Sequence, residues 1–493
     1  MVEEFMKEPI ELRIDAPLFE KLENHLFPGD GDEHGAVIAA GIVETSRGTR
    51  LLVREVFLAR DGIDYVPGQR GYRALTARFV AETSGYCAKE NLCYLAVHCH
   101  GGKDEVSFSS DDMASHERGY PALLDITRGG PVGALVFAKN AVAGDIWTPS
   151  GRYKLDHMTI IGANIRKLYP SPRKRSPIAN PMYDRHSRMF GDVGQEILSN
   201  LKVGIIGLGG GGSLINEWLS RLGVGHIVAI DFDRVELTNL PRIVGTNHWD
   251  AMTWLIKSGI PWLEKLGKRL AAYKVHVARR VAKQANPSIH YDAIVGNIVD
   301  ELIAKLLVDT DFIFLAADSM QSRLVFNAIV HQYLIPGIQI GAKVPVDKQT
   351  KQVGDIIFTA TRPVLPYAHG GCLHCHELIP PGRLQQETLS ETERRNQQYV
   401  EDENIAQPSV ITLNVKSAEQ AVNDFKMMFT GLYKPEVQLR HQLHFARERK
   451  TIEVKPRVNP NCLDCSDSNR SRRARGDRFR LPCRMLEAPS SGE

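Results

Sequence analysis

The stretch Leu201-Lys202-Val203-Gly204-Ile205-Ile206-Gly207-Leu208-Gly209-Gly210-Gly211-Gly212-Ser213 decides the fold of the larger part of this chain. Its first half is apolar and β-branched, as a buried strand is. It ends in a run of glycines, after which Leu214–Leu222 reads as a helix. Gly207 permits a tight turn. Gly209 and Gly210 let backbone N–H groups approach a phosphate, and Gly212 lets the helix pack close to the strand. The N-terminus of that helix favours an anion at the same place. The next strand, His226–Asp231, ends in a carboxylate roughly 20 residues on, where a ribose partner is expected.

Strand, helix and strand in alternation imply a doubly wound, mostly parallel sheet with helices on both faces, an α/β Rossmann-like fold. On the glycine turn alone, NAD is a fair ligand. The following residues turn the reading away from it. Asp231-Phe232-Asp233 followed by Asn239-Leu240-Pro241-Arg242 resembles the signature of the ubiquitin-activating superfamily of ThiF, MoeB and HesA type, which includes the molybdopterin and thiamin adenylyltransferases. Further motifs of that family resemble segments here, in order. They are Tyr183-Asp184-Arg185-His186-Ser187-Arg188, the helix beginning Lys274-Val275-His276, and the strand end Ala316-Ala317-Asp318. The resemblance covers about residues 181 to 430.

The resemblance implies that ATP is the nucleotide and that a protein C-terminus is activated as an acyl-adenylate. Asp231 would then hold the ribose, and Asp233 would also belong to the cofactor site. Arg188, Asn239, Arg242 and Lys274 would line the phosphates, and Asp318 would hold Mg2+. The first arginine of the family is often supplied by a partner subunit, so a homodimer is implied. The family reaction is phosphoryl-centred, so catalysis rests on positioning and on neutralising spreading negative charge. The interval from Arg242 to Lys274 is longer than in compact members, and Trp249 to Leu270 reads as an inserted helical segment.

Of the eight cysteines, Cys372, Cys375, Cys462 and Cys465 form two Cys-x-x-Cys pairs. Two such turns make a closed tetrahedral four-cysteine site for a structural Zn2+. A redox pair, or a ligand set borrowing His374 or His376, is the alternative. Many activating enzymes carry a further cysteine, in a crossover loop beyond the first pair, that accepts the activated protein as a thioester. No cysteine lies between Cys375 and Cys462, and Gly382 to Asn404 occupies that region. The chain is therefore read as stopping at the adenylate or handing off directly to a conjugating-enzyme-like partner, with Cys483 the remaining candidate acceptor.

A second constellation lies near the N-terminus. In Val97-His98-Cys99-His100 the two histidines alternate, which puts both rings on one face of a strand and Cys99 on the other. Ser109-Ser110-Asp111-Asp112 reads as a helix start, with Ser109 near the N-cap. Two histidines and Asp112 supply three zinc ligands and leave a position for water. This resembles the JAMM (Mov34/MPN) metalloprotease family. The resemblance implies Glu33 as general base and Ser109 at the oxyanion. Asp111 and Glu44 are the competing carboxylates.

The bulk numbers set limits. A chain of 493 residues exceeds one core. A net charge of +3 gives no reason to expect nucleic acid or an anionic membrane. The N-terminus lacks a signal-peptide pattern and no apolar run could span a membrane, so a cytoplasmic location is expected. The expected organisation is a JAMM-like α/β domain over 1–155, a Pro-rich basic linker over 156–180, the adenylyltransferase domain over 181–430, and a C-terminal segment over 431–493. That last segment completes the four-cysteine site and is expected to run into a disordered Arg-rich tail. The joint reading is a ubiquitin-like activator carrying a zinc isopeptidase for the same C-terminus. The alternatives are a sulfur-carrier activator with a trimming protease, or a JAMM half that is a non-catalytic scaffold.

Overall fold

The computed structural model describes residues 6–67, 73–173, 180–346, 352–388 and 408–484. Two eight-stranded sheets organise them.

The first sheet contains β1 (Ile10–Asp15), β2 (Gly35–Thr45), β3 (Gly48–Leu58), β4 (Cys93–Cys99), β5 (Val132–Ala138), β6 (Ala141–Thr148), β7 (Gly151–Ile161) and β8 (Arg166–Leu168). Three helices accompany it: α1 (Ala16–Leu26), α2 (Ala77–Glu90) and α3 (Ser110–Ile126). The strand order is β1-β3-β2-β4-β5-β6-β7-β8, and β1 also pairs with β7, so the sheet curls back on itself. Period-two alternation feeds two cores. Ala36, Ile38 and Ala40 of β2 pack with Leu22 and Leu26 of α1. Val37 and Ala39 pack with Phe79 of α2 and Tyr120 of α3 on the other face. The strand β7 runs through the expected boundary at residue 155, and β8 follows it. The first sheet therefore continues to Leu168, and of the expected linker residues 162–165, 169–173 and 180 are described without helix or strand.

The second sheet contains β9 (Lys202–Ile206), β10 (His226–Ile230), β11 (His290–Ile294), β12 (Phe312–Leu315), β13 (Gly337–Lys343), β14 (Phe358–Val364), β15 (His441–Phe445) and β16 (Lys450–Val454). The order is β11-β10-β9-β12-β13-β14-β15-β16. The ladders from β11 to β13 are parallel, and those from β13 to β16 are antiparallel. The helices are α4 (Asp184–Ser199), α5 (Gly210–Arg221), α6 (Thr253–Ile256), α7 (Pro261–Leu270), α8 (Lys274–Ala285), α9 (Glu301–Lys305), α10 (Met320–Gln332), α11 (Pro381–Thr388) and α12 (Ile411–Thr430). One face is covered by α5, α8 and α12 through Leu214, Ile215, Leu219, Ala278 and Phe425. The other is covered by α9 and α10 through Ala304, Val325 and Ile329. The segment expected as an insertion folds as α6 and α7, leaving Trp249, Trp254 and Trp262 exposed.

The two sheets share a core. Val43, Leu52 and Ile161 from the first lie in one apolar cluster with Ile206, Ile313 and Phe326 from the second. A buried ionic group flanks that cluster. Glu11 contacts Arg13 at 3.1 Å and Arg50 at 3.0 Å. Arg50 donates across the junction to the Val308 and Thr310 carbonyls at 2.8 and 3.2 Å. Asp311 receives Arg47 at 2.7 Å and Arg13 at 3.5 Å. Burial alone would raise the carboxyls of Glu11 and Asp311, but the surrounding arginines outweigh it and hold both below their ordinary values.

The Arg-rich segment is not a disordered tail in its described part. Residues 466–484 thread between the sheets, and Arg473 is 2% exposed. Arg473 pairs with Asp15 at 3.1 Å and donates to the Arg54 carbonyl at 2.7 Å. Arg54 returns a hydrogen bond to the Arg473 carbonyl. Gly476 bridges to Ile42 as a strand would, and Arg475 pairs with Glu90 at 2.8 Å. The arginines are there because their forked donors satisfy carbonyls that burial would otherwise orphan.

Removing one partner from such a group strands the remaining charges. Arg50→Ala should cost about 3–5 kcal/mol of stability, read by denaturant titration. Glu11 and Asp311 titrate lower when folded, so their contribution is complete above the unfolded carboxylate range. It is lost as pH falls through their lowered values, and stability followed by acid titration should decline there.

Candidate functional site

The glycine turn lies at the carboxyl ends of β9, β10 and β12, where ligands of open α/β sheets bind. Gly207 has φ +88°, a conformation that side chains rarely adopt. A Cβ on Gly212 would stand 1.9 Å from the Gly207 carbonyl oxygen, so α5 can approach the strand only through glycine. A Cβ on Gly209 would meet nothing within 4 Å, so packing does not demand glycine there and open backbone does. Gly210 has a different reason from the one expected: its Cβ would meet Asn414 Nδ2 of α12 at 2.1 Å.

Asp231 is buried and holds the turn. Its carboxylate accepts the Leu208 N–H at 2.6 Å and the Asp233 N–H at 2.8 Å, while burial raises its pKa. Asp233 in turn pairs with Lys274 at 2.6 Å, at the first residue of α8. Asn239 is buried and its side chain accepts the Glu236 N–H at 3.1 Å. Arg242 lies next to the turn, its carbonyl oxygen 3.5 Å from where a Cβ on Gly210 would stand. Asp318 is exposed in the loop between β12 and α10, and a Cβ on Gly207 would meet Ala317 N at 2.9 Å just before it. Arg188 is not brought into this group. It stands exposed on α4 and pairs with Asp184 at 2.9 Å.

Two neighbours were not legible in the sequence. The Glu387 carboxylate, on α11, accepts the Met320 and Gln321 N–H groups at 2.8 and 3.0 Å, at the start of α10 beside Asp318. Asn414 leans on Gly210 from α12. Both come from segments remote in sequence, and neither carries a motif. Of the expected crossover region Gly382 to Asn404, residues 389–404 lie outside the described residues.

The four paired cysteines meet. Cys372 Sγ lies 3.8 Å from Cys375 Sγ and 3.6 Å from Cys462 Sγ, and Cys375 lies 3.6 Å from Cys465. A tetrahedron with Zn–S near 2.3 Å has edges of about 3.8 Å, so the set fits zinc. His374 is not a ligand here: its Nδ1 is 2.5 Å from Asp464. His376 packs against His441, with ring centroids 4.2 Å apart. Asp464 also receives Asn327 of α10 at 2.6 Å and Arg472 at 2.6 Å, which ties the cluster to both the sheet and the buried C-terminal segment. Cys483 is part-buried, and burial pushes its thiol up to about 11, which leaves little thiolate for accepting an acyl group.

In the first sheet, His98 and His100 approach each other at 3.1 Å between Nε2 atoms. Asp112 lies 3.5 Å from His98 and 3.4 Å from His100. Ligands at about 2.0–2.1 Å from a tetrahedral zinc are roughly 3.3 Å apart, so these three fit. Glu33 stands one step outside, 4.0 Å from His100, and burial raises its pKa. Burial would also raise Asp112, but hydrogen bonds from His98 and Ser109 prevail and hold it well below its ordinary value. Ser109 is the N-cap of α3, accepting the Asp112 N–H and donating to the Asp112 carboxylate at 2.7 Å. Asp111 is exposed, and Glu44 accepts Thr49 at 2.8 Å at the far end of the β2–β3 hairpin. Cys99 is buried on the opposite face and accepts the His34 N–H at 3.2 Å. A polar layer beneath, unforeseen from sequence, joins His116 to Asp145 at 2.8 Å and Asp145 to Arg152 at 2.6 Å.

The profile of the ThiF family matches residues 183–464, more than half of the chain, so this protein belongs to the ThiF family. Among individual relatives, the molybdopterin-synthase adenylyltransferase of Haemophilus influenzae is 30% identical over 156 residues, 32% of this chain and 56% of that protein. The sulfur carrier protein ThiS adenylyltransferase of Bacillus subtilis is 30% identical over 151 residues, 30% of this chain and 40% of that protein. The ubiquitin-like modifier-activating enzyme 5 of Gallus gallus is 22% identical over 182 residues, 34% and 40% of the two chains. The chain spans about half the length of the curated relatives it matches. A crystal structure of E. coli MccB with ATP is similar over 59% of this chain and 76% of that one, at 20% identity and a TM-score of 0.41. Among the described residues, no helix is long and apolar enough to cross a membrane.

Cys462→Ser should lower the zinc content of the purified protein by one ion per chain, read by elemental analysis. Because Asp464 and Arg472 anchor the segment beyond, amide hydrogen exchange across 466–484 should rise in the same variant.

Proposed function

We propose that this chain activates the C-terminal glycine of a ubiquitin-like or sulfur-carrier protein by adenylation. The observation that carries the proposal is the conjunction at the carboxyl ends of the parallel strands of the open glycine turn, the buried Asp231, the Asp233–Lys274 pair and Arg242 beside Gly210.

In the proposed reaction, a carboxylate oxygen of the substrate C-terminus attacks the α-phosphorus of ATP. The bond from that phosphorus to the β-phosphate bridging oxygen breaks, and pyrophosphate leaves with the electron pair. Asp231 anchors the turn and accepts the ribose. The backbone N–H groups of Gly209 and of the first residues of α5 would donate to phosphate oxygens. Lys274 and Arg242 neutralise the charge that spreads to the leaving pyrophosphate. Asp318 would hold Mg2+, a hard cation suited to its exposed carboxylate oxygens, and the ion would supply further charge neutralisation when bound. Arg188, exposed on α4, would serve a neighbouring copy in a homodimer. The raised thiol of Cys483 and the lack of a cysteine between Cys375 and Cys462 favour release of the adenylate to an outside nucleophile, such as a conjugating-enzyme-like partner or a sulfur donor.

We further propose that the first sheet carries a JAMM-type zinc peptidase acting after the same C-terminus. His98, His100 and Asp112 would hold the zinc, which supplies a polarised water when bound. Glu33, beside His100 and with its pKa raised by burial, would be the general base and acid of that site. The Ser109 hydroxyl is committed to Asp112 and Asp112 N–H, so its first role is to fix the ligand and the start of α3.

Lys274→Ala and Asp318→Ala should each reduce ATP–pyrophosphate exchange dependent on a ubiquitin-like substrate by at least about 100-fold, in line with the loss of a charge-stabilising group. Exchange at the wild-type rate in both would contradict the nucleotide assignment. Glu33→Gln should abolish cleavage of a C-terminal extension while leaving exchange intact. Equal cleavage by wild type and variant would instead indicate a non-catalytic scaffold.

A further inference from the structure

The opposite end of the second sheet carries a cluster that adenylation does not use. His226 opens β10 and His290 opens β11, and the two are direct partners across the parallel ladder. Asp292 stands two residues beyond His290 and therefore on the same face. The imidazole centroids are 4.1 Å apart, at 82°. Asp292 reaches both rings, with Oδ2 at 2.7 Å from His226 Nε2 and Oδ1 at 3.3 Å from His290 Nε2. One donor atom from each of the three side chains lies within 4.8 Å of the others. These spacings bracket the edge of about 3.3 Å expected for nitrogen and oxygen ligands of a small divalent ion.

We infer that His226, His290 and Asp292 form a binding site for a borderline divalent transition-metal ion, distinct from the four-cysteine cluster and from the His98–His100–Asp112 group. Two imidazoles with one carboxylate suit zinc, cobalt or nickel and disfavour the oxygen-seeking Mg2+ and Ca2+. The donors are rigidly spaced because two of them are ladder partners. Access is direct: the side chain of His226 is 24% exposed and that of His290 68%. The nearby cation Lys202 is paired with Asp309 at 2.7 Å, which reduces its opposition to an incoming ion.

The location gives the ion a physical consequence. β11 is the end strand of the sheet order, held on one side by β10. An ion shared by His226 and the two β11 side chains would clamp that end strand. Three protein donors leave a coordination position at the surface, which water fills.

The test is Co2+ titration of the full-length zinc-loaded protein, followed by visible absorption, for wild type, His290→Ala and Asp292→Asn. The expected result is one further equivalent of cobalt in wild type, with weak ligand-field bands and no thiolate charge-transfer band, and its loss in both variants. His98→Ala should retain it. Wild type taking up no more cobalt than His290→Ala would overturn the site. A cobalt spectrum with thiolate charge transfer would also overturn it, because the ion would then have entered the cysteine cluster. His290 is exposed, so its variant is expected to fold, and native circular dichroism checks that directly.

Discussion

The structure of the second sheet depends on one close approach. The α5 helix descends onto β9 so tightly that a single methyl group at Gly212 would strike the Gly207 carbonyl. That contact puts the helix N-terminus at the carboxyl end of the strand, with its unpaired N–H groups facing outward. Asp231 then locks the arrangement by accepting the Leu208 and Asp233 N–H groups. Other features of the proposed nucleotide site adjoin this turn: Lys274 through Asp233, the Asp318 loop through Ala317, and Asn414 beside Gly210.

A second constraint joins the two sheets into one body. Their apolar surfaces merge, and the arginine–carboxylate group around Glu11 and Asp311 closes the edge. The C-terminal segment completes the join by running from the four-cysteine cluster into the cleft between the sheets, with Arg473 clasping Asp15 and the Arg54 carbonyl. Zinc at the cysteines would therefore do more than close a local knuckle. It would fix the start of the segment on which the first sheet rests. The proposed peptidase and adenylation centres are thereby held in a fixed relation, as an enzyme acting twice on one C-terminus would require.

Much of this is readable along the chain, because the signals are local. The glycine run, the Asp231–Asp233 pair and the alternating histidines each specify short-range geometry. What escapes is long-range. Glu387 and Asn414 reach the glycine-turn end of the sheet from segments far away in sequence, through contacts that only tertiary packing creates. The arginines from Arg470 onward resemble a tail because a run of charge ordinarily signals a solvated one. Here Arg473 and Arg475 are buried, and carbonyls and carboxylates of the first sheet satisfy them. The strand β7 crosses the expected domain boundary because its polar first half, Arg152 to Lys154, looks like loop sequence, while its pairing with β6 makes it strand.

The central claim is that this turn binds ATP for transfer of its adenylyl group to a protein C-terminal carboxylate. Intact-mass analysis of a ubiquitin-like substrate, quenched after mixing with the full chain, ATP and Mg2+, tests it most directly. The account predicts a substrate species heavier by one adenylyl group, absent without ATP and absent with the Lys274→Ala chain. A substrate of unchanged mass, from a preparation shown to bind both ATP and that substrate, would contradict it.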